Sequence, residues 1–85
     1  MDEEVGVSIR EYAATLGQVM TTLAAAAASA DTALRELTSA RAILTRISPD
    51  GWCPAELDLA IAELTRVVAL AAAARETIAD YVTRL

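Results

Sequence analysis

The side chains best placed to do chemistry in this 85-residue chain are Glu56, Asp58 and Glu63, preceded by a single thiol, Cys53. Closely spaced carboxylates could pass a proton or hold a hard cation, and a thiol could act as nucleophile or soft ligand. Each use needs a helper that the composition lacks. There is no histidine and no lysine to serve as base beside Cys53 or any serine, and one cysteine without histidine is no zinc set. Three glycines, well separated, build no phosphate-cradling loop. Glu56 and Asp58 read more simply as acids in the positive first turn of a helix, and Glu63 as surface charge. The expectation is a non-enzyme with no catalytic residue, no metal ligand and no cofactor.

Charge narrows the partners. Twelve acids against seven arginines leave a net charge of −5. Arg10, Arg35, Arg41, Arg46, Arg66, Arg75 and Arg84 stand singly along the chain. Nucleic acid is disfavoured, because a phosphate backbone selects a basic surface. So is a membrane surface, which asks for one basic amphipathic face. The longest uncharged run, 12–30, is too rich in threonine and alanine for a membrane span. The acidic start is unlike the basic opening of a signal peptide, so the expected location is cytoplasmic, with signal-less export as the alternative. A lone cysteine gives no internal disulfide framework.

Helices must position whatever acts. Residues 1–7 read as an acidic lead. Ser8 and Glu11 form a capping box, with Val7 and Tyr12 as its hydrophobic staple, and open a helix over 8–47. A seven-residue repeat runs through it: Ile9, Leu16, Leu23, Ala30, Leu37 and Leu44, accompanied by Tyr12, Val19, Ala26, Ala33, Ala40 and Ile47. That is the a/d pattern of a coiled-coil seam. Ala13, Met20, Ala27 and Leu34 widen the stripe until Arg41 closes it. Gly17, the sole interior glycine past Ser8, reads as a tolerated surface position costing about 1 kcal/mol. The turn "SPDGWC" (48–53) ends this arm, since Pro49 excludes helical geometry at Ser48 and Asp50-Gly51 is a turn pair. Pro54 suits the first position of a second helix over 54–84. Its seam is Leu57, Leu64, Ala71, Ile78 and Leu85 with Ala60, Val67, Ala74 and Tyr81, broadened by Ile61, Val68 and Val82. Asp31 with Arg35, Glu63 with Arg66 and Asp80 with Arg84 are spaced as ion pairs along one helix.

Folding the chain at the turn predicts an all-α antiparallel two-helix hairpin with a long first helix. With Ile47 beside Pro54, Leu37 meets Leu64, Leu23 meets Ile78, Met20 meets Tyr81, and Ala30 meets Ala71, so that large faces large and small faces small. The blocks "LAAAAASA" and "ALAAAA" then allow close approach of the backbones. Tyr12 and Ile9 extend beyond Leu85 without cover. Trp52 is expected to pack over Leu44, Ile47 and Leu57 at the turn, with Cys53 as cap or filler before Pro54.

Twenty of the residues behind the 55% hydrophobic content are alanine, and phenylalanine is absent. One hairpin therefore buries one side of each stripe and little volume, which is marginal at this size. The expected closure is two hairpins in a four-helix bundle, a larger helical assembly, or a helical protein partner. The function expected is a non-catalytic interaction or assembly module, self-associating through apolar helix faces. The alternative is a small exported or chaperone-like hairpin that orders on a dedicated partner. Candidate interface residues are Ile9, Tyr12, Leu16, Val19, Leu59, Leu70 and Trp52.

In size and shape, two helices joined by a turn holding tryptophan and glycine, the chain resembles the WXG100 family of small secreted helical hairpins. That resemblance would imply dimerisation and signal-less export. The family motif is tryptophan, any residue, glycine, where this chain has Gly51-Trp52-Cys53. Its export signature is a tyrosine followed four residues on by an acid, where Tyr81 is followed by Leu85.

Overall fold

The computed structural model describes residues 2–85, with side chains from Ser8 onward. Helix α1 spans Asp2–Ile47 and helix α2 spans Ala55–Thr83, packed as an antiparallel helical hairpin with extents of 73 × 16 × 14 Å. The expected all-α hairpin with a longer first arm is the fold found. α1 begins earlier than expected. It starts at Asp2, so the 2–7 segment is helical and Ser8 sits inside the helix, where it cannot be an N-cap. Val7, half of the expected staple, lies outside the described side chains. α1 continues through Gly17, whose missing side chain faces open space.

The threonines in both arms are settled locally. Those at 15, 21, 32, 38, 45, 65 and 77 donate their hydroxyls to the carbonyl one turn back, at 2.8–3.1 Å. This bond removes the polar group of a β-branched residue from competition with the helix backbone.

The reversal is made as the residue types require. Gly51 has φ 71°, the left-handed region that costs an L side chain about 1–2 kcal/mol. Its N–H donates to the Ser48 carbonyl at 3.1 Å. The Trp52 N–H donates to Asp50 Oδ1 at 3.1 Å, and the Ser48 hydroxyl donates to the Trp52 carbonyl at 3.0 Å. Pro54 is the N-cap of α2 rather than its first helical residue, at φ −61° and ψ 136°. Its ring sets that φ, and its carbonyl receives the Leu57 N–H at 3.1 Å. Cys53 thus precedes the cap. α2 ends at Thr83, with Arg84 as C-cap.

A helix pair covers one flank of each stripe. On α1 the side facing α2 holds Leu16, Leu23, Ala30, Leu37 and Leu44 together with Ala13, Met20, Ala27 and Leu34. On α2 it holds Leu57, Leu64, Ala71 and Ile78 together with Ile61, Val68 and Val82. The accompanying sets expected in the seam are turned partly outward: Tyr12, Val19, Ala26 and Ile47 are exposed on α1, as are Val67 and Tyr81 on α2. The reason is geometric, because a stripe three positions wide exceeds what one neighbouring helix can shield. Among the described residues only Ala30 (8% exposed) and Ala71 (7%) are buried.

The register also differs from the one expected, by about a heptad. Tyr81 meets Tyr12, not Met20, with ring centroids 6.1 Å apart, edge to face. Met20 lies beside Ala72, Arg75, Glu76 and Ala79. Near the turn, the carbonyl of Thr45 comes beside Gly51. Carried along the pair, this register sets Ala30 opposite Leu64 and Ala71 opposite Leu23. Large faces small, which is why these two alanines are the best covered. A heptad shift keeps the same residues inward, so hydrophobic pattern alone leaves both registers available. The seven-residue connection (48–54) and the Tyr12–Tyr81 contact choose between them. Tyr12 therefore does not overhang the second arm.

Candidate functional site

The residues first suspected of chemistry lie apart. Asp58 is drawn across the hairpin to Arg41, whose Nε donates to its Oδ1 at 2.5 Å. That hydrogen bond, then the Asp58 charge, raises the already high pKa of Arg41. Glu63 pairs with Arg66 at 3.7 Å, Asp80 with Arg84 at 2.6 Å, and Asp31 with Arg35, all three as the spacing predicts. Among the described residues no acidic or cysteine cluster could hold a metal ion. Cys53 is a free, half-buried thiol. An open groove of about 290 Å³ lies between Met20 on α1 and Ala72, Arg75, Glu76 and Ala79 on α2. It is a shallow interhelical furrow lined by two opposite charges and small side chains, without a convergent set of polar groups.

What the hairpin displays is apolar surface. Of the candidate interface residues, Ile9, Tyr12, Val19, Leu59, Leu70 and Trp52 are exposed, and Leu16 is half-buried in the seam. Trp52 is 60% exposed and Ile47 67% exposed, so the indole does not form the expected lid over the turn. Its backbone is held on both sides by Ser48 and Asp50, and this aims the ring outward.

The exposed residues are not scattered. In an antiparallel pair, the outward sets of α1 and α2 fall on one side of the seam, and the Tyr12–Tyr81 contact demonstrates that they do. That side carries Tyr12, Val19, Ile43 and Ile47 from α1, and Val67, Leu70 and Tyr81 from α2, all exposed. Alanines 26, 33, 40, 60 and 74 fill the positions between them. The opposite side holds Arg10, Asp31, Arg35, Thr38, Asp58, Thr65 and Glu76, together with the Arg41–Asp58 bridge. Leu59, also exposed, lies eleven residues before Leu70 and only about 20° from it around α2, toward the back of the helix.

Ile43, Ile47, Val67 and Tyr81 were not singled out from the sequence as surface residues, because a seam reading places three of them inside. The available signal was the width of the stripe. The neighbouring Tyr12 hydroxyl first, then desolvation, pushes the Tyr81 hydroxyl above the usual phenol range.

Among the described residues no helix is long and apolar enough to cross a membrane. Comparison with protein families, curated proteins and solved structures finds no match to this chain.

Proposed function

We propose that the protein is a non-catalytic interaction module that works by self-association through its apolar helix face. The observation that carries this reading is the excess of surface. The chain exposes 6334 Å². A compact monomer of 8.9 kDa would expose ~4,800 Å². The difference, ~1,500 Å² per chain, reflects a narrow two-helix body 73 Å long whose buried residues are alanines, and such a body is marginal alone. Exposed tyrosine, valine, leucine and isoleucine on a single side are the composition of an interface rather than of ordinary surface. Two hairpins closing on that side make a four-helix bundle.

Sedimentation equilibrium over about 5 to 200 μM, with helicity followed in the same samples, tests the reading through its mass-action dependence. A helical species near twice the chain mass is expected. A monomer at every concentration that still melts cooperatively would overturn it.

A further inference from the structure

Resting on that reading, we infer that the occupant of the apolar face is a second copy of this chain, turned end for end, with the two-fold axis passing beside Leu70 on α2. The pattern along the exposed edge of α2 is self-complementary only in this sense of pairing. With α2 antiparallel to its copy, Leu70 meets the partner's Leu70, Val67 meets the partner's Ala74, and Ala60 meets the partner's Tyr81. Large again faces small, as it does inside the hairpin. The charges agree. Glu56, at one end of that edge, comes beside the partner's Arg84, which already holds Asp80 at 2.6 Å on its own chain. In the parallel arrangement Glu56 and Glu63 would each stack on their own copies, a like-charge contact in a chain already at −5. A two-fold axis makes such isologous contacts, residue by residue, the commonest form of association.

Leu70, 56% exposed, and Thr65, exposed and about 140° away around the same helix, supply the test because they lie on different sides of α2. Leu70→Glu places two carboxylates at the two-fold axis and is expected to weaken the dimer by about 100-fold or more, whereas Thr65→Glu leaves the mass in sedimentation unchanged. Independently of any destabilised variant, Leu70→Cys in a Cys53→Ser background forms a covalent dimer under mild oxidation, since equivalent residues beside a two-fold axis come within disulfide distance. Thr65→Cys in the same background stays monomeric on a denaturing gel. A dimer that survives Leu70→Glu and gives no Leu70→Cys cross-link would overturn this arrangement while self-association itself stands. A wild-type monomer would overturn both and leave a different helical protein as the occupant.

Discussion

Exchanging volume between Ala71 and Leu23 probes the register most directly. Ala71 is 7% exposed, and the register set by the Tyr12–Tyr81 contact places it opposite Leu23, so Ala71→Leu forces three extra carbons against a side chain already in place. Overpacking of this kind costs about 1–3 kcal/mol. Leu23→Ala removes the same volume from the half-buried partner and should cost about 1–2 kcal/mol, below the full-burial value because part of Leu23 is already wet. If the two face each other, the double variant Leu23→Ala/Ala71→Leu restores the summed volume. Its destabilisation should fall short of the sum of the singles by at least about 1 kcal/mol, the size expected for residues in contact. Thermal unfolding followed by far-ultraviolet circular dichroism at one fixed chain concentration reads the difference as about 4–8 °C per kcal/mol for a domain of this length. The matching control is Ala30→Leu with Ala71→Leu. In the register with small opposite small, those two would collide and couple strongly, whereas in the register described they lie in different layers and their effects add. Strong coupling between 30 and 71, with additivity between 23 and 71, would refute the heptad-shifted pairing.

Two further outcomes are expected. Gly17→Ala should raise stability by about 0.5–1 kcal/mol in chemical denaturation, because the helix runs unbroken through this position and the added methyl group meets nothing within 4 Å. Loss of stability there would mean that the helix depends on glycine. The raised pKa of Tyr81 sets a pH dependence. A raised folded-state pKa means the native pair favours the neutral phenol, so its contribution is complete below the ordinary value of 10.0 and is lost as pH rises through the folded value. Phenolate absorbance should show one tyrosine titrating late, and Tyr12→Phe should return it toward the ordinary midpoint while leaving helicity at neutral pH unchanged.

The ion pairs and the arms were legible in the sequence because both are local. Asp31 with Arg35, Glu63 with Arg66 and Asp80 with Arg84 follow from helix spacing alone, and the reversal follows from Pro49, Gly51 and Pro54 acting on their own backbones. The start of α1 was misread for a related reason. Ser8 and Glu11 have the chemistry of a capping box, but a cap acts only where the chain outside it leaves the helix, and here the helix begins at Asp2.

Composition and heptad spacing already dictate an all-α hairpin with apolar stripes too wide for one partner and too poor in volume to make a core. Tertiary structure alone decided which flank of each stripe faces inward, which heptad of α1 meets which heptad of α2, and therefore that Tyr12, Val19, Val67, Leu70 and Tyr81 share one exposed side. The physical reason is the periodicity itself. A repeat of seven is satisfied equally by registers seven residues apart, so long-range contacts such as Tyr12–Tyr81 must break the tie.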